Sequence, residues 1–240
     1  HEEHSRHILT NAERHLGQNW LLNIDLSDFF HHVDINRVQA FLHQKPFHLN
    51  HHAALIVAQL CTHNGRLPMG APTSPVLSNF ACGGMDALLT EIANQQDLVY
   101  TRYADDMTFS SKKKISSRLI LQLKDAINNS KFIVNEQKVH LTHRRDLPEI
   151  TGLILHKKRV DIAPSLLRNI QKQLVLINAF SQVQITPHDG LYSPDLPKEV
   201  LNKLRATVHG QLNFVGFVKG KTSKLYQKLS KKLEKIVVSA

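Results

Sequence analysis

Two apolar, strand-like stretches in this chain run into carboxylates, and no other feature of the sequence constrains the fold as tightly. Trp20-Leu21-Leu22-Asn23-Ile24-Asp25-Leu26 is short and apolar and closes on an acid, the pattern of a buried strand. Val99–Tyr103 and Met107–Ser110 read as two further strands around Ala104-Asp105-Asp106, a tight hairpin. A buried carboxylate without a partner is costly. Neighbouring side chains on a regular strand point to opposite faces, so Asp105 and Asp106 address one site only from the turn of the hairpin. Like charges at that spacing repel unless a cation lies between them. Mg²⁺, which prefers hard oxygen ligands, is the natural ion. Taken alone, the Asp105-Asp106 pair also fits an ordinary solvated turn.

The 240 residues suffice for one large domain or two modest ones, and a hydrophobic content of 42% is enough for a real core. Lys and Arg number 30 against 20 Asp and Glu, a net charge of +10 that suits a polyanionic partner such as nucleic acid. Cys61 and Cys82 match no zinc spacing and form no disulfide framework, so both are expected reduced and buried, in a cytoplasmic protein. No apolar run approaches the ~20 residues of a membrane span. The 16 histidines include His31-His32 and His51-His52, but without an HExxH or Cys/His cluster they are read as surface and helix-end residues.

Asp34 can cap a helix whose apolar face is Ile35, Val38, Phe41 and Leu42. A second helix runs near His51 to Cys61, followed by a Gly/Pro-rich loop over 64–72. Pro75 opens a helix reaching about Ile92, another covers 116–129, and 139–162 reads as short strands with turns at 144–146 and 151–152. Beyond Pro164 the segments 165–181, 197–214 and 222–237 are helical and lysine-rich, with a linker carrying Pro187, Asp189, Gly190, Pro194 and Pro197. The expected class is α+β: residues 1–163 with an antiparallel sheet and helices, then a helical domain over 164–240.

Three strings are specific enough to carry a resemblance. Tyr103-Ala104-Asp105-Asp106, preceded by Tyr100-Thr101-Arg102, resembles the YADD box of reverse transcriptases. Asp25-Leu26-Ser27-Asp28-Phe29-Phe30 resembles that family's first aspartate box, and Leu67-Pro68-Met69-Gly70-Ala71-Pro72-Thr73-Ser74-Pro75 its nucleotide-positioning box. They stand in the family's order. Asn11-Ala12-Glu13-Arg14-His15 is similar to the NAxxH pattern, and Ile150-Thr151-Gly152 to the VTG pattern, of the retron type.

The resemblance implies a right-hand polymerase palm with a remnant of the fingers before it and a helical thumb after it. It implies Asp25, Asp105 and Asp106 as ligands of two Mg²⁺ ions, with Mn²⁺ as the alternative and the Leu26 carbonyl as an extra ligand. Phe30 would be the steric gate against a ribose 2′-OH, with Phe29 in the core. Met69, Gly70 and Ala71 would line the dNTP pocket, and Lys138 would approach the triphosphate. Thr151, Gly152 and Leu153 would form the primer grip, while Asn11, His15 and Arg102 would contact nucleic acid. Lys221, Lys224 and Lys228 would add backbone contacts from a last helix whose apolar stripe is Leu225, Leu229, Leu233 and Ile236.

Met69 stands where the family usually has glutamine, and His31-His32 where it usually has Pro-Ser. The family's fingers region before NAxxH is expected to be largely missing. The implied activity is RNA-directed DNA synthesis on a structured noncoding RNA, giving a branched RNA–DNA hybrid, in antiphage defence with an effector protein. A group II intron-like or other bacterial reverse transcriptase, and a non-catalytic RNA-binding scaffold, are the alternatives.

Overall fold

β1 (Trp20–Ser27) alternates as its sequence pattern requires. Leu22, Ile24 and Leu26 are buried on one face, while Asn23, Asp25 and Ser27 are half-buried on the other. In the computed structural model, which describes residues 7–182 and 196–238, this strand is the axis of the first of two units. β2 (Val99–Tyr103) turns back into β3 (Asp106–Ser111) with Tyr103 opposite Asp106. β3 pairs antiparallel with β1 from Trp20↔Ser111 to Asp25↔Asp106. The other edge of β1 is divided between two partners. β4 (Ile133–Val134) pairs with residues 26–27, and β5 (His140–His143) with residues 20–23. The order is β2-β3-β1-β4, with β5 also on β1.

Helices cover the apolar face of this sheet. α1 (Ile8–Glu13) is opened by a reciprocal cap between His7 and Thr10, a helix that sequence patterning leaves unassigned. α2 (Ile35–Leu42) starts at Asp34, whose carboxylate accepts from the Arg37 N–H, and buries Val38, Phe41 and Leu42 with Ile35 half-buried. α3 (His51–Cys61) is capped by Asn50. The single helix expected from Pro75 is two: α4 (Ser74–Ala81) and α5 (Gly83–Gln95), meeting at Cys82. The Gly83-Gly84 pair, weak in helix propensity, follows this joint. α6 (Ser117–Asn129) is capped by Ser116 and packs Leu119, Leu123, Ala126 and Ile127 inward. Cys82 is buried as expected, and burial pushes its thiol up to about 11. Cys61 is only half-buried, because it lies in the last turn of α3; both thiols are free.

The unit of β1 comprises His1–Thr151 and Leu155–Arg159; the second comprises Gly152–Ile154 and Val160–Ala240. β6 (Glu149–Ile150), β7 (Leu153–Leu155) and β8 (Val160–Ile162) form a three-stranded sheet in that order. The second unit holds α7 (Pro164–Gln182), α8 (Leu196–Lys219) and α9 (Lys224–Val238). Its core is built from Ile170, Leu174 and Ile177 on α7, Val208, Leu212 and Val215 on α8, and Leu229, Leu233 and Ile236 on α9. Gly216 is there for close packing: a Cβ would meet the Tyr226 ring at 2.9 Å. Lys219 belongs to the fold, its ammonium 2.9 Å from Asp161. Of the expected linker, Pro187, Asp189, Gly190 and Pro194 lie outside the described residues, while Pro197 falls in the first turn of α8, where a proline's missing N–H costs no helix bond.

Candidate active site

The site begins with the split edge of β1. Because β4 takes residues 26–27 and β5 takes 20–23, the connection between them must pass residues 24–25. It does so as a short 3₁₀ turn, Glu136–Lys138, with the Asn135 N–H donating to the Asp25 carbonyl at 2.9 Å. This delivers Lys138 onto Asp25: its Nζ donates to both carboxylate oxygens at 3.1 Å. The hairpin brings the other two acids from the opposite edge. Asp106 is the register partner of Asp25, and directly opposite residues of an antiparallel pair share a face. Asp105 lies in the two-residue turn, where its carbonyl accepts from the Leu26 N–H at 3.2 Å.

The electrostatics follow from that crowding. Burial, then the charges of Asp105 and Asp25, raise the Asp106 carboxyl above the usual carboxylate range, with Lys138 opposing. The hydrogen bond and charge of Asp25 hold Lys138 above the ordinary lysine range, so it keeps its proton. Among the described residues, no three His, Cys, Asp or Glu side chains are gathered closely enough to cage a metal by themselves. The donor set still fits Mg²⁺, which commonly takes one or two carboxylates and completes its shell with water and substrate phosphate. Hard oxygens are crowded enough to raise a carboxyl, and an ammonium already serves Asp25 as counter-charge.

Two residues expected to touch nucleic acid do something else. His15 is buried: Nδ1 lies 2.6 Å from Ser110 Oγ and Nε2 2.8 Å from Thr101 Oγ1. It staples the segment after α1 to β2 and β3, and burial lowers it to about 4, so the ring is neutral. Arg102 is likewise internal. Its Nε and Nη2 donate to Asp86 at 2.8 and 2.6 Å, and its Nη1 donates to Asn79 Oδ1 at 3.1 Å and the Ala104 carbonyl at 2.9 Å. Burial, the largest single influence, opposes the Arg102 charge, but the Asp86 hydrogen bonds together with the charge interactions with Cys82, Asp86 and Tyr100 outweigh it and raise the guanidinium. The Tyr100 hydroxyl donates to the same carboxylate at 2.8 Å. Ala104 has φ +54°, a conformation costing an L-residue about 1–2 kcal/mol, so Arg102 ties down a strained turn beside Asp105.

Asp86 and Asn79 are the residues sequence reading overlooks. The signal was Arg102 itself, a permanent charge in a strand that needs a buried acid. Asp86, in the first turn of α5, is also placed well for the helix dipole.

The remaining candidates are placed but not drawn into this cluster. Phe29 is buried against Phe132, and Phe30 is half-buried with its ring 5.2 Å from Phe29. Met69 is 73% exposed and Gly70 is exposed at φ +83°, with half-buried Ala71 after them. That loop is pinned by buried Leu67 and by Ser74 Oγ donating to the Pro68 carbonyl. Asn11 is half-buried on α1. Thr151 and Gly152 both have positive φ, +46° and +82°, and Leu153 is buried. Nothing stands where a Gly152 Cβ would lie, so its conformation rather than crowding calls for glycine. Lys221, Lys224 and Lys228 are exposed on the second unit.

An antiparallel sheet with helices on one face and acids where a central strand meets a hairpin turn defines the α+β palm of a right-hand polymerase. Residues 2–165 match the reverse transcriptase (RNA-dependent DNA polymerase) family, and the chain belongs to that family. Several curated relatives are retron reverse transcriptases. It is 33% identical over 175 residues to the retron Ec86 reverse transcriptase of Escherichia coli, covering 72% of this chain and 53% of that protein. It is 29% identical over 199 residues to the retron Mx162 reverse transcriptase of Myxococcus xanthus, covering 70% of this chain and 41% of that protein. The chain thus spans about half the length of the curated relatives it matches. A solved structure of the foamy viral protease-reverse transcriptase in complex with an RNA/DNA hybrid is alike in fold. Its TM-score is 0.53 at 19% identity, over 100% of this chain and 29% of that one.

Proposed function

We propose that this chain carries the catalytic centre of a retron-type RNA-directed DNA polymerase. The observation that supports it most is the delivery of Asp25, Asp105, Asp106 and Lys138 to one end of one strand pair. Asp25, Asp105 and Asp106, with the Leu26 carbonyl, would hold two Mg²⁺ ions, whose presence would supply activation of an attacking hydroxyl and stabilisation of a leaving pyrophosphate. The protein supplies position and charge. Arg102 holds the turn that carries Asp105, and Asp86 holds Arg102. Lys138 keeps its proton at neutral pH and offers that charge to the triphosphate. Phe30 gates the 2′ position, Met69, Gly70 and Ala71 face the dNTP, and Thr151, Gly152 and Leu153 hold the primer. The first unit acts as palm and the second as thumb, with Lys221, Lys224 and Lys228 on the nucleic-acid backbone.

In this reading the template is a structured noncoding RNA, the product a branched RNA–DNA hybrid, and the setting cytoplasmic antiphage defence with an effector protein. Among the described residues, no helix is long and apolar enough to cross a membrane. The test is dNTP incorporation on a primed RNA with Mg²⁺. Extension templated by the RNA supports the proposal. Tight RNA binding with no extension under any divalent ion sinks it in favour of the scaffold reading. Sequencing the RNA that co-purifies separates a retron RNA from an intron.

A further inference from the structure

Segment 17–20 organises the end of the sheet that lies away from the carboxylates. Trp20 opens β1 five residues before Asp25, roughly 17 Å along the strand. Three stretches distant in sequence are fastened to this segment. The Asn19 N–H donates to the Ser111 carbonyl at 3.0 Å, and its side-chain amide to the Lys112 carbonyl at 3.0 Å. The Arg144 N–H donates to the Asn19 carbonyl at 2.8 Å, and the Gly17 N–H to the Lys157 carbonyl at 3.2 Å. The Trp20 ring carries Lys114 Nζ over it at 5.3 Å and the His143 ring against it at 4.8 Å.

The convergence is one of charge. Stretches 112–114, 143–146 and 157–159 contain eight Lys and Arg and a single acid, Asp146. Lys112, Lys113, Lys157 and Lys158 are exposed and have no carboxylate partner among the described residues. A lysine run on one loop is usually a solvated face. Here the main chain gathers basic loops from three separate places, against their mutual repulsion and with almost no acid between them.

We propose that this surface is a second nucleic-acid site, which binds the phosphate backbone of double-stranded RNA apart from the catalytic centre. Single-strand binding calls for open aromatic faces on which bases stack. The aromatic residue at the centre of this surface, Trp20, already has its ring occupied by Lys114 and His143. Charge without a stacking platform suits a duplex, read by its backbone and shape. The choice of RNA over DNA rests on the family membership; the site itself does not depend on catalysis. An RNA helix emerging from a folded template would be held here while another part is copied.

The test uses the full chain and a closed RNA duplex, looped at both ends so that no primer terminus can enter the catalytic site. The variant Lys112→Ala/Lys113→Ala/Lys157→Ala/Lys158→Ala leaves the main-chain contacts of Lys112 and Lys157 in place. At 200 mM salt its affinity should lie at least about thirtyfold below the parent's, and its log–log salt slope between 50 and 200 mM should be flatter by about three. The matching Lys→Arg variant should bind like the parent, which separates lost charge from lost folding. Single-nucleotide incorporation at saturating primed template, where weaker contacts at this surface no longer limit occupancy, should be unchanged; its loss in the parent would count against the catalytic reading alone. Closed-duplex affinity and salt slope equal to the parent's would overturn the proposal. So would an equal loss on single-stranded RNA or on closed duplex DNA.

Discussion

Replacing Asp86 by alanine should damage both stability and catalysis, although Asp86 belongs to none of the family boxes found in the sequence. The Arg102 side chain is 7% exposed and accepts its charge balance from an Asp86 carboxylate that is 31% exposed. Stranding one partner of a fully buried ion pair costs about 3–5 kcal/mol. Water reaches the exposed third of Asp86, so the expected loss is about 2–3 kcal/mol, including the lost acceptor of the buried Tyr100 hydroxyl. That corresponds to a fall in Tm of roughly 5–10 °C. Asp86→Asn keeps an oxygen acceptor and should lose about half as much. Urea melts give the stability. Incorporation assayed well below the new Tm isolates the second effect, a slower step caused by a guanidinium no longer aimed at the Ala104 carbonyl. An Asp86→Ala chain within about 0.5 kcal/mol of the parent and equally active would refute the claim that this network holds the turn.

His15 predicts a pH dependence. Its ring takes a proton more readily unfolded, near 6.5, than folded, near 4, so stability is complete above the upper value and drains as pH falls toward the lower. The span amounts to about 3 kcal/mol. Urea midpoints at pH 7.5 and 4.5 should therefore converge in His15→Gln relative to the parent; identical pH slopes would show that the ring does not titrate this way. Lys138→Ala should slow incorporation and raise the KM for dNTP while leaving RNA affinity intact, and Lys138→Arg should restore part of the rate. An unchanged rate in Lys138→Ala would remove it from the chemistry.

The carboxylate framework was legible because it is written locally: an apolar run that ends in an acid, and two runs that fold back at Ala104-Asp105. The cap at Asp34 is equally local, as is the apolar stripe of α9. What escaped depends on tertiary partners. The break between α4 and α5 sits at Cys82, ahead of two glycines whose low helix propensity only marks a place where a joint is tolerable. His15 and Arg102 carry polar groups that sequence reading assigns to the surface. Ser110, Thr101, Asp86 and Asn79 reach them from up to 95 residues away and turn both into internal fastenings. Lys138 was legible as a residue but not as a partner of Asp25. That pairing follows from β4 and β5 sharing one edge of β1.

The central claim is that the carboxylates on this strand pair perform nucleotide transfer. Its most direct test is the rate of a single dNTP addition to primed RNA at saturating Mg²⁺, compared between the parent chain and Asp106→Asn at matched RNA occupancy. The account predicts a fall on the order of a thousandfold with the RNA Kd unchanged. Equal rates for the two chains would contradict it.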